Sequence, residues 1–125
     1  MISANEIYNF HFHTPEAATG GQINRISQLE FLKSQGITAV ISLVPVPKEV
    51  ITGLRDMGIE WLYCDVDDDS GTLFEMSAFD PEKLASIEAF FDRQLAHRGR
   101  VFIHCSAGAS RSVMIARYLL SRKKR

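Results

Sequence analysis

Cysteine is scarce: the chain has two, at positions 64 and 105, too few for the disulfide framework that holds small secreted domains together. A reducing compartment is expected, and each thiol then needs its own explanation. Long apolar runs are missing as well. No window approaches the roughly 20 apolar residues of a spanning helix, and the N-terminus lacks the basic-then-apolar order of a secretory signal, so a cytoplasmic protein with no membrane partner is expected. Charge of one sign is also lacking, since the net charge of −1 offers no general attraction to nucleic acid or anionic lipid. The basic end Arg122-Lys123-Lys124-Arg125 reads as a solvated helix C-terminus, where cations complement the carbonyl end of the helix dipole. There is no internal repeat, no low-complexity segment and no linker-like Gly, Ser or Pro stretch.

Present instead is an apolar fraction of 46% in 125 residues, enough for one core and a single domain spanning 1–125. Strand-like and helix-like stretches alternate along it. Glu6 to Phe12 reads as a first strand, with the Gly20-Gly21 pair interrupting the chain before the first helix. From Asn24 the spacing Ile26, Leu29, Leu32 fits one helix face, and Gly36 stands where a C-terminal glycine belongs. Ile37 to Leu43 is β-rich and largely apolar, which suits a strand covered on both faces. Pro47 opens a helix with Val50, Leu54 and Met57 on one side and Gly58 at its end; Ile59 to Val66 is the next strand. An acidic, Gly-containing loop covers Asp67 to Ser77. Asp80 then caps a helix opened by Pro81, with Leu84, Ile87, Phe91 and Leu95 as its buried stripe. Arg100 to His104 is a short strand, followed by a loop and a final helix. This alternation predicts an α/β fold: a central, mostly parallel sheet of four to five strands flanked by helices. Sites in such sheets lie beyond the carboxyl ends of strands.

Cys105 stands one residue past such an end. A bare Cys-x5-Arg spacing carries little, because chance supplies it readily; context makes it specific. Ser106, Ala107, Gly108, Ala109 and Ser110 between Cys105 and Arg111 all have small side chains, so successive backbone N–H groups can turn inward around a tetrahedral anion. The helix that begins near Ser110 aims its positive end at the same spot. Such a cradle binds a phosphate and also favours the thiolate of Cys105 over the thiol. Arg111 has a planar fork of donors for two phosphoryl oxygens, which a lysine cannot copy. Ser112 is placed to donate to the sulfur when it leaves, and His104 to orient the loop rather than act as a base.

The run His104-Cys105-Ser106-Ala107-Gly108-Ala109-Ser110-Arg111-Ser112 resembles the signature of the dual-specificity protein phosphatases, within the wider protein-tyrosine-phosphatase superfamily. The segment Leu32 to Leu43 is similar to the helix-then-strand entry of that family, and the likeness runs from about Ile26 to Leu120. The resemblance implies a protein-tyrosine-phosphatase-like fold and a two-step hydrolysis through a cysteinyl-phosphate, with no metal or other cofactor. The implied partner is a phosphorylated protein or peptide carrying phosphotyrosine, and often phosphoserine or phosphothreonine. Lysines within the loop would favour a highly anionic lipid headgroup, and there are none.

Expelling the leaving oxygen needs a proton donor, and Asp65, Asp67, Asp68 and Asp69 are the candidates. Resemblance to the family's strand-then-acid pattern points to Asp68, with Asp67 and Asp69 still open. Carboxylates this close raise one another's pKa, which favours a protonated acid. Relative to the family the C-terminus is shortened, which leaves the final helix short of cover; the N-terminal segment or a second copy, in a homodimer through that helix, would supply it. Cys64 reads as a buried structural thiol, with a reversible Cys64–Cys105 disulfide as the alternative. His11-x-His13 puts two imidazoles on one strand face but lacks a third metal ligand.

Overall fold

The computed structural model describes residues 7–66, 80–108 and 110–122. Its elements run β1 (His11–Thr14), β2 (Ala17–Gly20), α1 (Ile26–Ser34), β3 (Ala39–Ser42), α2 (Lys48–Asp56), β4 (Glu60–Tyr63), α3 (Pro81–Ala96), β5 (Val101–His104) and α4 (Arg111–Arg122). The five strands form one sheet in the order β1-β2-β5-β3-β4. All neighbours are parallel except the β1–β2 hairpin, so the sheet is mostly parallel, as the alternation predicts. No helix among the described residues is long and apolar enough to cross a membrane.

Strand periodicity sorts the core into two layers. Val40 and Phe102 face α1 and α2, where Leu29, Leu32, Val50 and Leu54 are buried. Ile41, Leu43 and Ile103 face the other way, onto Ile87 and Phe91 of α3 and Ile115 and Leu119 of α4. Local signals fix the helix ends. Gly36 and Gly58 take the left-handed conformation, at φ 82 and 73, just past α1 and α2. Asp80 Oδ1 accepts from the Glu82 amide at 3.0 Å, with Pro81 in the first turn of α3. Asp80→Ala should therefore lower stability by about 1 kcal/mol, read as a shift in urea midpoint at unchanged slope.

Two expectations need correction. The first strand is not Glu6 to Phe12. The chain turns at Asn9, whose φ is 59, and enters a hairpin, His11–Thr14 with Ala17–Gly20, where Thr14 Oγ1 accepts from the Glu16 amide at 3.1 Å. The buried stripe of α3 is Ile87, Phe90, Phe91 and Gln94, with Leu84 and Leu95 only partly buried, because α3 turns the Phe90 side towards the core. The final helix is covered on one side by α3: the Tyr118 hydroxyl donates to Glu88 Oε2 at 2.5 Å, and Arg122 bonds Asp92. Its buried residues are Ser112, Ile115, Ala116 and Leu119, whereas Val113, Met114 and Leu120 are half-buried.

Candidate active site

β5 ends at His104 in the middle of the sheet, and the chain then leaves the plane as a tight loop that returns at Arg111 to start α4. Each turn of this loop is held from outside. The Cys105 amide donates to Gly20 O at 3.3 Å, the Gln22 amide donates to Ser106 O at 3.1 Å, and Asn9 Nδ2 donates to Ala107 O at 2.8 Å. A trans peptide points its N–H opposite its C=O. Pinning the Ser106 and Ala107 carbonyls outward therefore turns the Ala107 and Gly108 amides inward, and the Gly108 amide donates to Cys105 Sγ at 3.3 Å. Gly108 has φ 72 and lies so close to Gly20 and Gly21 that a Cβ there would stand 2.4 Å from Gly20 C.

Cys105 is buried, with 1% exposure, yet its sulfur faces donors. Ser112 Oγ lies 3.3 Å from it. Burial alone pushes the Cys105 thiol up, but the Ser112 hydroxyl and amide, the Gly108 amide and the Arg111 guanidinium outweigh it and hold the thiol below its ordinary value. Arg111 Nη1 also donates to Val66 O at 2.9 Å, so the guanidinium is tied to the residue that precedes Asp67 in the chain.

The structure brings together His104, Cys105, Ser106, Ala107, Gly108, Ser110, Arg111 and Ser112 at one strand end and helix start. Ala109 lies outside the described residues, as do Asp67, Asp68 and Asp69. Asp65 is described and exposed, with its main-chain oxygen accepting from Lys83 Nζ at 2.6 Å. Sequence reasoning missed Asn9 and Gln22, which fasten the loop from across the sheet; the Gly20-Gly21 pair was the available signal that something packs closely there.

Cys64 is buried, and burial pushes its thiol up against the lowering effect of Lys83. Its amide bonds Ser42 O, while the Leu43 amide bonds His104 O, so β3 lies between Cys64 and Cys105. Two strand spacings amount to roughly 9.5 Å, beyond the roughly 7 Å that a disulfide spans between Cα atoms. The structural reading of Cys64 fits this geometry, and a Cys64–Cys105 bridge does not without moving the backbone. The His11 and His13 rings lie tilted against each other with centroids 4.3 Å apart, and His13 Nε2 bonds Thr19 Oγ1 at 2.8 Å; among the described residues no group of three or more candidate metal ligands is present.

No family model and no curated protein sequence matches the chain. Solved structures do. A DUF442 protein of Shewanella putrefaciens superposes with a TM-score of 0.73 at 20% identity, over 95% of this chain and 72% of that one. The PTP-2 phosphatase of Cydia pomonella gives 0.73 at 21%, over 94% and 72%. The core catalytic domain of the PP-IP phosphatase SIW14 from S. cerevisiae gives 0.63 at 17%, over 87% and 63%. With its central sheet, its two helical layers and the Cys105 to Arg111 loop at a strand end, the chain has the protein-tyrosine-phosphatase-like fold.

Proposed function

We propose that the chain is a cysteine-dependent phosphatase that hydrolyses phosphomonoesters of proteins, phosphotyrosine foremost and phosphoserine or phosphothreonine as well. The observation that carries this reading is the buried Cys105 sulfur facing the Gly108 amide and the Ser112 hydroxyl, each at 3.3 Å, with its thiol held low. A structural cysteine has no use for such a ring, and a pure phosphate binder needs the amides and Arg111 but not the thiolate.

In the first step the Cys105 thiolate attacks phosphorus, the ester P–O bond breaks, and the leaving oxygen takes a proton from an acid, assigned to Asp68. In the second step the resulting carboxylate takes a proton from water as the water attacks the phospho-cysteine. The P–S bond then breaks, inorganic phosphate forms, and the sulfur leaves as a thiolate stabilised by Ser112 and Gly108. Arg111 spans two phosphoryl oxygens while charge spreads over them.

The assay is hydrolysis of an aryl phosphate followed by a panel of phosphopeptides. A wild-type chain that turns over no phosphomonoester sinks the proposal. Because the nucleophile must be ionised, kcat/KM should rise with pH through the lowered Cys105 pKa, below the range of an ordinary thiol, and fall again as the acid loses its proton. Asp68→Asn should cut kcat on phosphotyrosine by about 10²- to 10⁴-fold with little change in binding; if Asp67→Asn or Asp69→Asn does this instead, the acid is that residue. SIW14 is named a PP-IP phosphatase, so a non-protein phosphoester is the second reading; activity on such esters with none on phosphopeptides would establish it.

A further inference from the structure

His104 points away from the nucleophile, into the α1/α2 layer, because consecutive strand residues face opposite sides. It is fully buried there and stacked on Phe102 at 5.7 Å. Burial keeps the ring neutral, with its pKa pushed down to about 4, so one nitrogen carries a proton and the other does not. The register puts Ser42 beside His104 and Tyr63 beside Ser42, which places Trp61 on the same face. The contacts are short: Ser42 Oγ lies 2.6 Å from His104 Nε2, and Trp61 Nε1 donates to Ser42 Oγ at 2.8 Å.

Proton counting decides the direction of the chain. Indole N–H can only donate, so Ser42 Oγ accepts from Trp61. Ser42 is fully buried, and the described residues offer its hydroxyl proton one acceptor, His104 Nε2. If Nε2 carried a proton as well, two donors would converge on Oγ and the Ser42 hydroxyl would be left unpaired, a cost of about 1–3 kcal/mol. Nε2 is therefore the acceptor, and the ring proton sits on Nδ1. Nδ1 is buried with no hydrogen-bond partner among the described residues, and the Cys105 backbone raises the ring's pKa against burial, as a carbonyl acceptor does, which favours a proton on the nitrogen that Ser42 does not use. The opposite tautomer would set a nitrogen lone pair against that carbonyl. With Nδ1–H in place, the ring turns a donor rather than a lone pair towards the Cys105 peptide, next to the two loop carbonyls that are hydrogen-bonded, Ser106 O by Gln22 and Ala107 O by Asn9.

We propose that Trp61, acting through Ser42, is a positioning residue for the nucleophile: its indole N–H fixes the Ser42 hydroxyl as donor to His104 Nε2, which keeps His104 in the Nδ1–H tautomer that orients the Cys105 peptide. The proposal deepens the phosphatase reading and rests on it for its importance to catalysis, but it makes a claim about the free chain. Among the described residues the charged group that acts on Cys105 is Arg111 of α4; the titratable His104 precedes it in the chain, β2 offers it the Gly20 carbonyl, and β3 and α3 offer apolar side chains, with the buried Cys64 beyond β3.

Two substrate-free measurements test it. Nitrogen-15 NMR of the wild-type imidazole should show His104 protonated at Nδ1 alone; a proton on Nε2 overturns the proposal without any variant. The pH at which iodoacetamide half-labels Cys105, read by mass spectrometry of its peptide, should rise by half a unit or more in Trp61→Phe, which keeps the aromatic packing, and in Ser42→Ala. Both variants should also show a mixed or switched His104 tautomer. Retention of the wild-type tautomer and labelling pH in both folded variants overturns it. Neither measurement involves turnover, so a chain that hydrolyses nothing overturns the phosphatase reading and leaves this test standing.

Discussion

Cys105→Ser is expected to abolish turnover of aryl phosphates, by on the order of 10⁴-fold or more, while phosphate affinity stays the same or tightens. The reasoning separates the two roles of the loop. Binding relies on the Gly108 amide, the neighbouring inward amides, the start of α4 and Arg111, none of which the substitution removes. Chemistry relies on an anionic sulfur, and a serine hydroxyl, whose pKa lies far above any thiol, will not ionise in the same ring. Removing the thiolate also removes a negative charge that opposes an incoming dianion, hence the equal or tighter affinity. Single-turnover kinetics and calorimetric titration with inorganic phosphate read the two effects separately. Residual turnover above one part in a hundred would mean that the nucleophile is elsewhere. Cys64→Ser is the matched control: with β3 between it and the loop, it should leave kcat within about twofold, since among the described residues Cys64 hydrogen-bonds Ser42 and Lys83 and not the loop.

The second large effect is on Gly108. Gly108 and Gly58 have nearly the same backbone, φ 72 and 73, but different surroundings. A Cβ at Gly58 meets nothing within 4 Å, whereas at Gly108 it would stand 2.4 Å from Gly20 C and 2.6 Å from Gly21 N, both main-chain atoms of another segment. Gly58→Ala therefore costs only the left-handed strain, about 1 kcal/mol. Gly108→Ala adds a clash that no side-chain rotation relieves, for a total of roughly 3 kcal/mol. Urea unfolding of the pair should show that gap, and equal losses would mean that strain alone is at work. Activity should separate them further. Pushing Gly108 away from Gly20 and Gly21 swings its amide off Cys105 Sγ, and losing one such donor lowers kcat by on the order of 10²-fold; Gly58→Ala should leave kcat unchanged.

The loop from Cys105 to Arg111, between β5 and α4, was legible in the sequence because its signals are contiguous residues. Small side chains from Ser106 to Ser110, a cysteine before and an arginine after are all local requirements, and so are the Asp80-Pro81 cap and the glycines at 36 and 58. The features that escaped were non-local or unpatterned. β2 reads Ala-Ala-Thr-Gly, with no alternation and one β-branched residue, because it is covered on both faces and crowded: a Cβ at Gly20 would stand 3.0 Å from the Phe102 ring. Asn9 reaches Ala107 across 98 residues, and Trp61 reaches His104 only through Ser42 of the intervening strand. Spacing along the chain cannot reveal such pairs; strand order does. For α3, the 3.6-residue repeat gave the helix but not its exact rotation, which the packing of Phe90 and Gln94 sets.

The strand order also bears on how the chain is made. β5 hydrogen-bonds β2 on one side and β3 on the other, although both precede it by dozens of residues. β5 is thus the strand that joins the β1–β2 and β3–β4 ladders into one sheet. The Gly20 carbonyl that holds the Cys105 amide belongs to one ladder, and the Ser42 hydroxyl that holds His104 belongs to the other. The surroundings of Cys105 are therefore assembled from both ladders, and from the loop and helix that follow β5.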